Sequence, residues 1–331
     1  MKAVVVRKFG LGNAFLEEIA APILGDSSIR LEVHSAGVSF ANLLAIEGKH
    51  QNRAEPPFIP GTEVAGVVLE TGPKTQLFKP GDRVVAGLRR GGFASEAVAP
   101  EENVFALPSN VDFDAAVHFP TIYATAYGAL KWRANLTKGE TLLVHGAAGG
   151  SGLAAIEIGK KLGARVLAST SGDEKLAAAA RHGADLCIDY SKGGFRDQVL
   201  TETQGRGADV IFDPVGGEVF DESLRCISPD GRIIPVGFAG GTIPTVPANI
   251  VLVKNITVIG IYWGYYMGWA RQSAPPAVLE RVREAFAEML QWASDGELQP
   301  HTSNAFPLSE FRAALSSLTG RRVIGRSVLN P

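Results

Sequence analysis

The stretch Thr141-Leu142-Leu143-Val144-His145-Gly146-Ala147-Ala148-Gly149-Gly150-Ser151-Gly152 decides how the rest of this chain is read. Its first residues are a short apolar run with a β-branched residue at each end, the pattern of a strand buried in a parallel sheet. Glycines at 146, 149, 150 and 152 then break the run. Beyond them, Leu153 to Leu162 repeats apolar positions at helical spacing. A strand that turns tightly into a helix through glycines aims unpaired backbone N–H groups at one point, and the helix dipole adds to them. The stretch predicts a seat for the pyrophosphate of a dinucleotide. A glycine-rich turn alone says little, so the flanking pattern has to carry the reading.

It does. After the helix, strand Arg165–Ser169 precedes helix Asp173–His182, and strand Asp185–Asp189 precedes helix Gly194–Thr203. Strand Ala208–Asp213 precedes helix Val219–Cys226, and strands Arg232–Val236 and Ile256–Ile261 close the series. Strands alternating with crossover helices predict a doubly wound parallel sheet of six strands.

The flanking regions are of another kind. Short β signals at Ala3–Val6, Ile29–Val33, Val64–Leu69 and Arg83–Ala86 are punctuated by Pro22, Gly25-Asp26, Pro60-Gly61, Gly72-Pro73 and Pro80-Gly81-Asp82. They predict a small β-barrel-like domain with one short helix over Ala41–Ile46. Asp112 is placed to cap a helix, and a second helical run covers Ala124–Lys131. Past residue 277, an amphipathic helix Val278–Ala293 shows Leu279, Val282, Ala285, Phe286 and Leu290 on one face. A strand near Ser303–Phe306, a helix Leu308–Leu318 and a strand Val323–Leu329 follow, and these returning strands most simply rejoin the first β domain.

With 331 residues, 46% apolar and 20% charged, the chain has the makings of a large buried core. Thirty-two Lys and Arg against 34 Asp and Glu leave a net charge of −2, which offers no electrostatic footprint for nucleic acid or an anionic membrane. Arg89-Arg90 and Arg321-Arg322 are too short to change this. Only four apolar residues separate Lys2 from Arg7, so no secretory leader is expected. The tract Ile250–Trp269 is broken by Lys254, Asn255 and glycines and reads as strand and loop rather than a membrane span. Cys187 and Cys226 stand far apart in apolar surroundings, as free thiols of a reducing cytoplasm. No C-x-x-C spacing exists for a zinc ribbon.

About 20 residues past the glycines, an NAD site would place Asp or Glu at the end of the second strand. Here Ser169-Thr170-Ser171-Gly172 and then Lys175 stand instead. Without the carboxylate a 2′-phosphate is not repelled, Lys175 supplies a countercharge and the hydroxyls add donors. The pattern favours NADPH over NADH. Lys175 also reads as a solvated helix residue. Tyr190, ending the third strand, could close over the adenine edge or simply cap the sheet.

Five segments carry a family resemblance: Ala36-Gly37-Val38-Ser39-Phe40-Ala41-Asn42-Leu43-Leu44, Pro60-Gly61-Thr62-Glu63-Val64-Ala65-Gly66-Val67-Val68, Phe78-Lys79-Pro80-Gly81-Asp82-Arg83-Val84, Thr125-Ala126-Tyr127, and Val144 to Gly152. Through them, in order and from Met1 to Leu329, the chain resembles the zinc-independent quinone oxidoreductase (zeta-crystallin-like) branch of the medium-chain dehydrogenase/reductase superfamily. The resemblance implies an α/β fold: a GroES-like β-barrel catalytic domain over residues 1–123 and 265–331, and a Rossmann NADPH-binding domain over 124–264. It also implies a homodimer acting on a small molecule, a quinone or an enone.

Zinc-dependent relatives place Cys at the position of Ser39, His at that of Thr62 and Glu at that of Glu63, and carry a four-cysteine lobe. Here the soft ligands and the lobe are missing, and one carboxylate cannot hold Zn²⁺, so no metal is expected. Hydride addition to a quinone or to the β-carbon of an activated alkene needs no Lewis acid; the cofactor supplies the hard step.

The resemblance further implies that Ser39 and Thr125 lie near the nicotinamide, and Gly149, Gly150 and Ser151 at the pyrophosphate. Ser171, Lys175, Tyr190 and Arg321 would surround the 2′-phosphate, with Gly237 and Phe238 bordering the cofactor. Relatives often have Asn at the Ser39 position and Asp at that of Asn42, and some place Tyr where Leu44 stands. Ser39, Asn42, Thr125 and the loop residue His50 are the catalytic candidates, and solvent or a tyrosine is expected to give the proton. His145 reads as structural rather than as an acid. Tyr262, Trp263 and Tyr265, with Phe40, could line a slot for a planar substrate; their other reading is a dimer contact or core packing. Two further functions are kept open: an enoyl-thioester reductase of the same superfamily, and a low-turnover NADPH-binding protein, which the missing tyrosine at Leu44 favours.

Overall fold

Alternation of buried and exposed residues along the first hundred positions is met by strand after strand in a computed structural model, which describes residues 1–50, 53–270, 275–320 and 323–331. The chain runs β1 (Lys2–Val6), β2 (Ala14–Glu18), β3 (Ser28–Gly37), α1 (Phe40–Ile46), β4 (Glu63–Thr71), β5 (Arg83–Gly87), β6 (Glu96–Pro100), β7 (Val104–Ala106) and α2 (Phe113–Ala116). In β3 the period of two is plain, with Ile29, Leu31 and Val33 buried between more exposed neighbours. Asp112 Oδ1 accepts from the Ala115 N–H at 2.7 Å and caps α2, as its sequence position predicts.

The chain continues through α3 (Ala124–Tyr127), β8 (Thr141–Val144), α4 (Gly150–Lys161), β9 (Arg165–Thr170), α5 (Asp173–Arg181), β10 (Leu186–Asp189), α6 (Phe195–Glu202), β11 (Ala208–Asp213), α7 (Glu218–Cys226), β12 (Ile227–Pro235), α8 (Ala248–Lys254) and β13 (Thr257–Val258). It returns through α9 (Trp263–Tyr266), α10 (Pro276–Ser294), β14 (Thr302–Pro307), α11 (Phe311–Ser317) and β15 (Arg326–Asn330). Two compact units result, one of Met1–Thr121 with Gly264–Pro331 and one of Ile122–Trp263.

In the first unit, β1 and β2 form a hairpin of their own, from Lys2↔Glu18 to Val6↔Ala14. The larger sheet has the order β14-β15-β3-β4-β5-β7, with β6 also on β3. The C-terminal strand β15 runs antiparallel to β3, pairing Val328 with Gly37, so both ends of the chain build one sheet, as expected. Its core joins Val4, Leu31, Val64 and Phe93 to Phe311, Leu315 and Leu329 from the returning segment. On α10 the buried face is Val282, Ala285, Phe286, Met289 and Leu290; Met289 takes the place expected of Leu279, which is half-buried. Phe286 lies flat against Phe105, with centroids 3.5 Å apart.

In the second unit the sheet has the order β10-β9-β8-β11-β12-β13, every neighbouring pair parallel. The order reverses between β8 and β11, which places a crevice beyond the carboxyl ends of those two strands. All four residues of β8 are buried, the signature of a strand covered by helices on both faces. The last strand is shorter than expected: β13 holds only Thr257–Val258, paired with Arg232 and Ile233, and the Ile259 N–H makes a final bond to Ile233 O at 2.9 Å. Among the described residues, no helix is long and apolar enough to cross a membrane.

Candidate dinucleotide and catalytic sites

In the second unit, β8 ends at Val144 and the chain turns through Gly146, whose φ of +55° suits a residue without a side chain. Gly149 is the N-cap of α4, in extended conformation, and no side chain bonds to the helix start. The N–H groups of the first turn, from Gly150 onward, have no partner inside the helix and are left for a ligand. Gly152 lets the helix approach the turn, since a Cβ there would lie 2.4 Å from Gly146 O and 2.7 Å from Ala147 Cα. That close approach fits a pyrophosphate cradle.

The other wall of the crevice follows β11. A Cβ on Gly146 would sit 3.3 Å from Pro214 Cγ and 3.4 Å from Val215 Cγ2, so the two glycine turns face each other. Asp213, fully buried, accepts through Oδ1 from the N–H groups of Val215 (2.8 Å) and Gly216 (3.0 Å), which shapes that turn. Its Oδ2 has no partner among the described residues, and burial pushes the carboxyl above its ordinary value. The segment after β12 folds back on the same turn: the Ala239 and Gly240 N–H groups bond Pro214 O (3.0 Å) and Val215 O (2.8 Å). Gly237 and Phe238 are thereby brought to the crevice, Phe238 with 42% of its surface exposed. Sequence reasoning missed Asp213 and its turn, although Asp213-Pro214-Val215-Gly216-Gly217 at a strand end is a visible signal.

Registers Ile188↔Ser169 and Asp189↔Thr170 carry Ser171 and Tyr190 to the ends of neighbouring strands, on the side of the sheet where the glycine turn lies. Tyr190 is 46% exposed and free of the core. Lys175 is half-buried in the first turn of α5, beside the exposed Asp173 and Glu174. Ser169 departs from its expected use as a donor to the ligand. It is buried, and its Oγ lies 2.6 Å from His145 Nδ1. His145 Nε2 lies 2.8 Å from Ser223 Oγ, which itself donates to Val219 O. Ser223 therefore accepts from Nε2–H, and Nδ1 accepts from Ser169. Burial lowers the His145 pKa to about 3, so the ring is neutral and structural, the role its sequence position suggested. Thr125 sits half-buried on α3, which packs against α4. Arg321 lies outside the described residues.

In the first unit, Ser39 and Asn42 form a reciprocal cap on α1. The Ser39 N–H and Oγ–H both donate to Asn42 Oδ1, at 2.9 and 2.8 Å, and the Asn42 N–H donates to Ser39 Oγ at 3.2 Å. Ser39→Ala is expected to cost about 1 kcal/mol of stability, measured by urea denaturation, because the helix start loses its cap. An unchanged midpoint would remove Ser39 from that role. Phe40 is the first residue of α1 and 47% exposed; His50, past its end, is half-buried and held through its N–H to Leu44 O at 3.2 Å.

Behind Ser39 lies a charge pair that sequence reading missed. Arg326 on β15 donates from Nη1 to Glu63 Oε2 at 2.8 Å and from Nη2 to Glu63 Oε1. Its Nε donates to Val38 O at 2.8 Å, the carbonyl just before Ser39. Thr121 Oγ1 donates to Glu63 Oε2. The guanidinium fits because Gly37 has no side chain; a Cβ there would meet Arg326 Cζ at 2.7 Å. One carboxylate thus ties the Thr62 turn to the start of α1. Near it His118, buried, donates from Nε2 to Thr302 Oγ1 at 2.9 Å, and burial holds its pKa well below the ordinary value.

The aromatic cluster divides. In the second unit Tyr262 is exposed, whereas Trp263 is 5% exposed and stacks on Trp132 with centroids 5.7 Å apart, the packing alternative. In the first unit Tyr265 is half-buried and edge-on to Tyr266 at 5.4 Å. Among the described residues, no group of three or more His, Cys, Asp or Glu is placed to hold a metal ion.

Comparison with known proteins agrees with this geometry. The alcohol dehydrogenase GroES-like domain model matches residues 25–109, and the zinc-binding dehydrogenase model matches residues 150–284. The chain is 39% identical to a quinone oxidoreductase-like protein 2 homolog of Nematostella vectensis, over 99% of this chain and 88% of that one. It is 31% identical to a 2-haloacrylate reductase of a Burkholderia species, over 100% and 99% of the two chains. Among solved structures it is similar to the quinone oxidoreductase of Thermus thermophilus, studied alone and in complex with NADPH, with a TM-score of 0.83, 30% identity and 100% coverage of both chains.

Proposed function

The chain belongs to the zinc-independent quinone oxidoreductase branch of the medium-chain dehydrogenase/reductase superfamily, and from that premise we propose that it reduces a quinone or an α,β-unsaturated carbonyl with NADPH. The observation that carries this reading is the crevice at the strand-order reversal. There a helix start with no side-chain cap faces a second glycine turn, and the neighbouring strand β9 leads into Ser171 with no carboxylate. Gly149, Gly150 and Ser151 would hold the pyrophosphate, Gly237 and Phe238 would border the cofactor, and Ser171, Lys175 and Tyr190 would take the adenosine 2′-phosphate. The domains read from sequence, 1–123 with 265–331 and 124–264, would be the catalytic and the NADPH-binding halves.

When bound, NADPH supplies a hydride from nicotinamide C4. The residues of the chain position the reactants and exclude water. Thr125 and Ser39 are the proposed neighbours of the nicotinamide. Ser39 is committed as a donor to Asn42 Oδ1 and so orients rather than protonates. Glu63, whose two oxygens are taken by Arg326 and Thr121, is a support for that segment and not a lone carboxylate awaiting a cation. The product proton then comes from solvent or a tyrosine, and Tyr262, exposed, is the candidate from the aromatic cluster.

The relative named as a 2-haloacrylate reductase supports activated alkenes as acceptors beside quinones. A spectrophotometric screen of NADPH oxidation with 1,2- and 1,4-quinones, enals, enones and an enoyl-CoA tests the reading. Turnover is expected with quinones or enones. Tight NADPH binding with no turnover would overturn it, and a strong preference for the enoyl-CoA would move the substrate to thioesters. Lys175→Ala should weaken NADPH by roughly 1.5–3 kcal/mol and NADH far less, since only NADPH offers the phosphate partner. Equal weakening, in a fluorescence titration of both cofactors, would take Lys175 out of the site. Leu252 and Val253 on α8, about three-quarters exposed each, support self-association of the second unit as a homodimer, which light scattering would read.

A further inference from the structure

We propose that the first unit carries a second small-molecule site, for an apolar monocarboxylate, apart from the dinucleotide crevice. An open groove of about 470 Å³ lies beside β1 and is lined by Val5, Ile19, Phe58, Ile59, Arg7 and Arg90. That volume is within the range of ligand pockets, whose walls are mainly apolar with a few placed polar groups. Val5 and Phe58 are buried to within 7% of complete, and Ile19 and Ile59 are half-buried, so the groove has a hydrophobic floor.

The floor is held by packing, Val5 clustering with Ala3 and Ala94 against Ile19 and Ile59, and by backbone bonds. Val6 and Phe58 exchange N–H···O bonds of 2.8 and 3.2 Å. The loop that carries Arg90 is pinned on both sides, by the Leu88 N–H to Thr62 O at 2.7 Å and the Gly91 N–H to Ile59 O at 2.9 Å. Arg90 is therefore presented at the rim from a fixed backbone.

Charge selects the ligand. Arg7 is engaged by Glu17, with Nε 3.0 Å from Oε1. Arg90 is exposed and has no ion-pair or hydrogen-bond partner among the described residues. Two guanidiniums and one carboxylate leave one positive charge at the rim of an apolar groove. A planar guanidinium binds a carboxylate through two parallel N–H···O bonds, and the floor would take the hydrocarbon. A dianionic phosphate would leave one charge uncompensated beside Glu17. None of these residues belongs to the proposed dinucleotide or catalytic site, so the inference stands apart from that reading.

The test is calorimetric titration of the NADPH-loaded protein with decanoate, and with decanol and decyltrimethylammonium as neutral and cationic counterparts. Decanoate is expected to bind, with both counterparts weaker by at least about tenfold. Arg90→Gln is expected to lose about the same factor for decanoate while NADPH oxidation stays at the wild-type rate. Absence of decanoate binding, equal binding of decanol, or an unchanged affinity in Arg90→Gln would overturn the proposal. So would competition between decanoate and the electron acceptor, which would place the fatty acid in the catalytic site instead.

Discussion

Arg326→Met is expected to lower the unfolding free energy by about 3–5 kcal/mol, the cost of leaving one member of a buried ion pair alone. Glu63 is fully buried and Arg326 is 3% exposed, so water cannot replace the lost guanidinium. The substitution also strips Val38 O of its donor and leaves Thr121 as the main partner of a buried carboxylate. The penalty comes from the stranded charge more than from the lost attraction. The double variant Glu63→Leu/Arg326→Met should therefore recover a large part of the loss, since an apolar pair of similar volume can equal a buried ion pair. Urea denaturation of the wild type, both single variants and the double variant reads this directly. Singles that cost little, or a double that sums them, would show that Glu63 is stabilised by something other than Arg326.

Acid should destabilise the fold through His145 in the second unit. In the unfolded chain the imidazole titrates near 6.5, while burial between Ser169 and Ser223 lowers the folded value to about 3. Between those two values the unfolded state binds a proton that the folded state refuses. Stability is then complete above pH 6.5 and falls as the pH drops toward 3. Each pH unit costs about 1.4 kcal/mol, so acidification from pH 7 to 4 should remove about 3 kcal/mol through this group. His118 in the first unit, lowered chiefly by burial, acts in the same direction. His145→Gln keeps hydrogen-bonding capacity for both serines without the titration. Its loss of stability from pH 7 to 4 should be smaller than that of the wild type by most of that amount. Equal pH slopes for the two proteins would mean that His145 is solvated or protonated in the fold.

The parts of the site that are legible in the sequence are those set by local backbone chemistry. Glycines at 146, 149, 150 and 152 announce a strand turning into a helix, and two of them are required by the backbone: Gly146 by its φ of +55° and Gly152 by its close approach to Gly146 O. Asp112 announces a helix start for the same kind of local reason, and its cap is present. Strands β2, β6 and β7 do not show in the sequence pattern. Each is short or carries acidic residues and proline, and acquires its conformation from the strand beside it. The aromatic run after β13 shows five rings in sequence, but its pattern cannot say which are exposed; Tyr262 is, and Trp263 is packed on Trp132.

By itself, then, the sequence determined the alternating order of strands and helices, the glycine turn at the head of α4 and the absence of an acidic residue after β9. These follow from periodicity and from φ, ψ and charge at single positions. Tertiary structure decided the partners. Arg326 meets Glu63 across 263 residues, and His145 meets Ser223 across 78. Nothing local distinguishes a buried, paired arginine from a solvated one. The pairing is set by β15 returning to β3 and by the desolvation that makes each of these groups seek a partner.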